Sequence, residues 1–302
     1  SCGQHHLLQS CVNLGHASHL RLGHHGRKTL SRSANDRFLQ PLEVGSFGLH
    51  EQLQILFPGG VLALHQALRR LQDLQVEFHQ PGKRIQAVNG VDLDVGEGEV
   101  VALIGESGSG KSVTARAVLN IVEPAVIKSG AINLVDVAAG QRVELSGLDP
   151  DGAEIRAVRG ARIAMIFQEP MSSLSPVHTI GQQIIEAILL HQDVTPAEAR
   201  AKAIDALRAV QIADPEAAID KYPFEYSGGM RQRAMIAMAL GCEPDILIAD
   251  EPTTALDVTT QAEILKLLKG LQDSRDMAVM FITHDMGVVA EIADHVVVML
   301  HG

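Results

Sequence analysis

From Gly105 to Ser112 the chain reads GESGSGKS. An apolar run, Glu99–Ile104, precedes it and a helical pattern follows, the setting in which a G-x-x-x-x-G-K-[ST] loop holds phosphate. The chemistry needs these residue types. Gly105, Gly108 and Gly110 let the backbone curl, so that the N–H groups from Glu106, Ser107 and Ser109 onward can face an anion. The N-terminus of the helix that the loop opens adds positive potential. Lys111 can reach β- and γ-phosphates, and Ser112 can ligand Mg²⁺. The loop alone says that a nucleoside triphosphate binds; kinases and GTPases use it too.

A second constellation lies in DILIADEP. Four apolar residues, Ile246 to Ala249, run directly into Asp250 and Glu251. A buried strand that delivers carboxylates at its C-terminal end places them where an α/β sheet presents ligands. Asp250 is the candidate holder of Mg²⁺ through water, and Glu251 the candidate general base for an attacking water.

These residues need a sheet to hold them. LQVEF from Leu74 alternates like a strand, and Ala87–Val95 reads as a second one. Apolar runs follow at Glu99–Ile104, Ala161–Phe167, Asp245–Ala249, Ala278–Thr283 and Asp294–Leu300. Continuous apolar strands suit a parallel sheet covered on both faces. Helical patterns lie between them. Thr195, Pro196 and Glu198 form a capping box opening a helix to about Ile212. Asp257 caps another, in which Ile264, Leu267, Leu268 and Leu271 share a face. Strands alternating with helices predict an α/β fold.

YSGGMRQR, Tyr226 to Arg233, resembles the signature segment of ABC transporter ATPases, usually LSGGQ. Ser227, Gly228 and Gly229 match it, while Tyr226 and Met230 depart toward the FSGGM form common in peptide importers. Further segments stand in the family's order. Gln168 in IFQEP corresponds to the Q-loop glutamine, which contacts Mg²⁺ or water. Ala255-Leu256-Asp257 corresponds to the D-loop, and His284 in ITHD to the switch histidine near the γ-phosphate. The resemblance covers about residues 71–302, and EPMSSLSPVHTIGQQIIEA is especially like dipeptide, oligopeptide or nickel importers.

That resemblance implies a P-loop ABC cassette with an antiparallel β subdomain over about 71–150 and a helical subdomain over about 169–228. It implies ATP and Mg²⁺ as ligands, and a second ATPase subunit, identical or different, packed head to tail. ATP would then lie between the phosphate loop of one chain and Ser227, Gly228, Gly229 and Asp257 of the other. It also implies integral-membrane permease subunits, an indirect solute-binding protein, and a place on the cytoplasmic face of the membrane. Met171, Leu174 and Ile180 are candidate permease contacts or core residues, and Phe78 is the candidate adenine stacker. Family members continue past the position of Gly302, so the resemblance reads the cassette as truncated. The rivals are a soluble, non-transport ABC ATPase and a non-catalytic cassette. The first usually shows a second cassette, zinc-type cysteines or basic stretches; the second is expected to lack Glu251 or His284.

Composition fits this picture. The net charge of −11 argues against a protein that coats nucleic acid. No apolar run reaches roughly 18 residues, so any membrane role works through a partner. Cys2, Cys11 and Cys242 show neither metal-ligand spacing nor a disulfide framework, and they read as thiols in a reducing compartment. The chain changes character near residue 68. Most of the 14 histidines precede Leu68, the first acidic residue is Asp36, and hydrophobic periodicity is poor. Residues 1–67 therefore read as a disordered extension or sequence upstream of the native start, with a transit peptide or His-rich metal binding as alternatives. Residues 68–302 form the ATPase domain.

Overall fold

The computed structural model describes residues 19–21, 67–136, 141–168, 173–254 and 256–302. The extension assigned to residues 1–67 lies outside these, apart from β1 (His19–Arg21) and Ala67. The chain forms two sheets. The first has the order β1, β10 (His295–Met299), β4 (Val100–Gly105), β9 (Ala278–Ile282), β8 (Ile246–Asp250), β7 (Ile163–Ile166). All its pairings are parallel except β1 with β10. The second is antiparallel, with the order β3 (Lys83–Gly96), β2 (Ala67–Gln80), β5 (Ala125–Asp136), β6 (Gln141–Glu144).

The apolar runs become strands because both their faces are covered. Every residue of β8 and β9 is buried. Ile246 and Ile248, with Met280 and Ile282, face one core, which they share with Leu71, Val91 and Leu93 of the antiparallel sheet. Leu247, Ala249, Val279 and Phe281 face the other, which contains Ile236, Ile264 and Leu268. The period of two along a strand thus distributes one apolar run between two cores. In β3 only one face is covered. Val91, Leu93 and Val95 are buried, while Asp92 and Asp94 are exposed. β2 and β3 meet at Pro81-Gly82, where Gly82 has φ 75°, a turn that glycine permits without a side-chain clash.

Between the strands run α1 (Lys111–Val118), α2 (Ala153–Val158), α3 (Ile180–His191), α4 (Pro196–Ala209), α5 (Pro215–Ala218), α6 (Gly228–Leu240), α7 (Val258–Arg275) and α8 (Met286–Ile292). Thr195 and Glu198 form the predicted reciprocal cap of α4. That helix stops at Ala209, short of Ile212, because Gln211 takes φ 60° and breaks the right-handed run. Thr179 and Gln182 make a second capping box on α3. Asp257 accepts the Thr260 N–H and opens α7.

Candidate functional site

β4 ends at Gly105 and the chain turns through Ser109 into α1. Gly110 has φ 95°, and a Cβ there would lie 2.3 Å from the Ala87 carbonyl oxygen on β3. The loop is therefore pressed against the antiparallel sheet at a position only glycine can fill. Lys111 is 6% exposed, and its Nζ donates to the carbonyls of Gly105 and Glu106, both at 2.9 Å. The cation thus lies folded within its own loop. The Ser109 hydroxyl is buried and has no hydrogen-bond partner among the described residues. A buried unpaired hydroxyl is costly. Beside a curled, lysine-bearing backbone it fits a loop built to receive phosphate oxygens.

β8 delivers Asp250, 1% exposed, to the same end of the sheet. The Ser112 hydroxyl donates to Asp250 Oδ1 at 3.0 Å. Burial pushes the Asp250 carboxyl above its ordinary value, the Ser112 hydrogen bond opposes this, and the neighbouring Glu251 adds to it. No group of three His, Cys, Asp or Glu side chains among the described residues could hold a metal ion by itself. A hydroxyl beside one carboxylate fits Mg²⁺, which takes few protein ligands and completes its shell with phosphate oxygens and water.

Glu251, the next residue, has φ 47°, a left-handed conformation that is strained for a side chain of this kind. Its N–H donates to the Ile282 carbonyl at 3.0 Å, which ties the turn to β9. Three side chains surround its carboxylate. Gln168 Nε2 donates to Oε2 at 3.0 Å, the Thr254 hydroxyl donates to the same oxygen at 3.0 Å, and His284 Nδ1 lies 3.3 Å from Oε1. Gln168 follows β7 and His284 follows β9, so three neighbouring parallel strands converge on one carboxylate. His284 remains largely exposed at 68%, against 15% for Glu251. The site can bind a triphosphate, hold a divalent cation, and draw a proton from a water.

The structure brings together Ser112 with Asp250, and Gln168 and His284 with Glu251. It does not join Ser227, Gly228, Gly229 or Asp257 to them by any hydrogen bond among the described residues. Ser227 caps α6 by accepting the Met230 N–H at 3.3 Å, and Asp257 caps α7. Ala255 and Met171 lie outside the described residues. Leu174 and Ile180 are core residues, 5% and 1% exposed, which settles their two readings in favour of packing. Phe78 stands opposite Ile85 in the β2–β3 hairpin and packs half-buried against the core between the sheets. Sequence reasoning missed Thr254. Its signal was the hydroxyl three residues beyond the carboxylate, within reach across a turn.

A phosphate loop and a carboxylate-tipped strand on a parallel sheet, flanked by an antiparallel sheet and a helical excursion, define an ATP-binding cassette. The family model described as "ABC transporter" matches residues 88–254, more than half of the chain. The chain belongs to the ABC transporter family. It is 54% identical over 231 residues to the glutathione import ATP-binding protein GsiA of Salmonella paratyphi A, covering 76% of this chain and 37% of that protein. The chain thus spans well under half the length of the glutathione import relatives it matches. It is 52% identical over 235 residues to the probable peptide ABC transporter ATP-binding protein y4tR of Sinorhizobium fredii, covering 77% of this chain and 68% of that protein. Among solved structures, it resembles a dimeric post-hydrolysis ATP-binding cassette bound to ADP and Pi. The TM-score is 0.66 at 27% identity, covering 78% of this chain and 95% of the other. No helix among the described residues is long and apolar enough to cross a membrane.

Proposed function

We propose that this chain hydrolyses ATP to energise an ABC importer of peptide-type solutes, acting as one of two cassettes beneath a membrane permease. The observation that carries the reading is the Glu251 carboxylate, held at the tip of β8 by groups from β7 and β9 beside the Ser112–Asp250 pair. The likeness to relatives named for glutathione and peptide transport supports the solute class.

Each residue's task follows from its place. Lys111 leaves the Gly105 and Glu106 carbonyls for the β- and γ-phosphates. The Ser109 hydroxyl gains the partner it lacks. Ser112 and Asp250 are the residues that would hold Mg²⁺, which supplies charge neutralisation on the phosphates when bound. Glu251 accepts a proton from the attacking water; a P–O bond forms to that water's oxygen and the bond to the β-phosphate bridging oxygen breaks. His284 and Gln168, now bound to Glu251, are free to turn toward the γ-phosphate and the water when nucleotide arrives. Such positioning and electrostatics account for most phosphoryl-transfer catalysis. Ser227, Gly228, Gly229 and Asp257 serve the site of the facing cassette, and the assembly works at the cytoplasmic face of the membrane.

The test is steady-state ATP turnover with and without a reconstituted permease. Lys111→Ala should abolish nearly all of it, and Glu251→Gln should slow it by roughly 10²–10⁴ while ATP still binds. Parental turnover in the Glu251→Gln protein would falsify the base assignment. Stimulation by a non-peptide solute, with none by di-, tri- or oligopeptides, would overturn the solute class alone.

A further inference from the structure

We propose that Thr254 is a positioning residue for Glu251, fixing the plane of its carboxylate so that one oxygen lone pair stays open to water. This rests on the reading of Glu251 as the base.

A carboxylate offers about four lone-pair sites. On Oε2 of Glu251 two are filled, by Gln168 Nε2 and by the Thr254 hydroxyl, both at 3.0 Å. On Oε1 one faces His284 Nδ1 at 3.3 Å. One position on Oε1 is left. The two donors on Oε2 leave Oε1 as the oxygen with an open position.

The three neighbours differ in how they are attached. Gln168 stands 83 residues away and His284 33 residues away, each on the end of a different strand. Thr254 belongs to the same turn as Glu251, closed by the Thr254 N–H donating to the Glu251 carbonyl at 3.1 Å. The left-handed backbone at Glu251 and its bond to Ile282 fix where the side chain starts. The Thr254 hydroxyl fixes where it ends. When Gln168 and His284 turn to nucleotide, Thr254 remains as the donor that moves with the base. Its side chain is exposed, so removing the hydroxyl does not open the core.

The experiment is a double-mutant cycle of Thr254→Val with Glu251→Ala, beside Thr254→Ser. Thr254→Val should lower kcat about tenfold, the worth of one hydrogen bond to a charged group, with KM for ATP unchanged. Thr254→Ser should return kcat to within about twofold of the parent, since it keeps the donor. In the Glu251→Ala background Thr254→Val should leave the residual kcat unchanged, a non-additivity in turnover that a role of Thr254 apart from Glu251 would not produce. Melting of the nucleotide-free chain should show the same non-additive cycle, independently of turnover. Parental kcat in Thr254→Val, or additive effects in either cycle, would overturn the proposal. A Glu251→Ala protein with parental turnover would instead remove the base assignment beneath it.

Discussion

Ser112 and Asp250 are 138 residues apart in the chain and joined by a 3.0 Å hydrogen bond, the serine hydroxyl donating to a carboxylate that is 1% exposed. The bond connects the first turn of α1 to the tip of β8, so the phosphate loop and the strand that ends in Asp250 share a polar contact. One neutral donor is a modest partner for a buried carboxylate, and burial holds the Asp250 pKa above its ordinary 3.8.

The raised pKa fixes the sign of a pH effect. The folded chain holds the Asp250 proton more tightly than the unfolded chain does. The resulting stability is fully present below the unfolded value and is lost as pH rises through the folded one. Asp250→Asn removes that loss. Its nucleotide-free protein should melt above the parent at about pH 8, well past the ordinary carboxylate range, while Mg²⁺-dependent nucleotide affinity falls. The difference in melting should close as pH falls toward the ordinary value of 3.8. Melting below the parent in alkaline buffer would show that the charge stabilises the loop instead.

Tyr226 departs from the family's usual leucine for a structural reason. Its side chain is 2% exposed in the core of the helical segments, and its hydroxyl donates to the Ala218 carbonyl at the end of α5 at 3.0 Å. Tyr226→Phe removes that hydrogen bond, leaving the carbonyl its second donor, the Lys221 N–H at 3.0 Å, and should cost about 1 kcal/mol. Tyr226→Ala should cost about 3–5 kcal/mol by leaving a cavity. Burial, and then Glu225, push the phenol up to about 12, so the folded chain keeps it neutral where the unfolded chain ionises it. The parent should therefore lose additional stability between its ordinary 10.0 and about 12, and Tyr226→Phe should not. Denaturant unfolding against pH measures both effects, and matching curves for parent and Phe variant would refute them.

The phosphate loop offers a contrast between two glycines. Gly108 has φ 79°, and a Cβ added there would meet nothing within 4 Å, whereas a Cβ on Gly110, at φ 95°, would stand 2.3 Å from the Ala87 carbonyl. Gly108→Ala should cost about 1–2 kcal/mol of backbone strain alone. Gly110→Ala must also push β3 off the loop, so it should lose more stability and more nucleotide affinity. Equal losses in the two variants, by melting and by ATP titration, would mean that the contact with β3 carries no weight.

The parallel strands were legible because each is a short apolar run buried on both faces, a pattern that needs no partner to recognise. The loop Gly105–Ser112 and the pair Asp250–Glu251 were legible because their chemistry sits in consecutive residues. β5 and β6 were not read individually. Ala125–Asp136 mixes buried Ile132 and Leu134 with exposed Val126, and its register depends on β2, far away in the chain. The contacts around Glu251 were also hidden. Gln168 and His284 could be placed near nucleotide by resemblance, but their convergence on this carboxylate comes from the order β9, β8, β7 in the sheet, which no local spacing encodes.

Gly228 and Gly229 differ in how far their own chain commits them. A Cβ on Gly229 would lie 2.9 Å from Thr260 Cγ2 on α7, so that position is already committed within its own chain. A Cβ on Gly228 would meet nothing within 4 Å, and the residue stands at the exposed start of α6. Gly228→Gln should therefore melt with the parent. If ATP is held between two chains, the same substitution should block the facing site. Specific ATP turnover of the parent should rise with protein concentration as pairs form, and that rise should be lost in Gly228→Gln. Each 1.4 kcal/mol removed from pairing is about tenfold in the concentration required, so a steric block should move the curve by at least that much. Concentration-independent turnover in the parent, or an unshifted curve in a normally folded Gly228→Gln protein, would place the whole site within one chain.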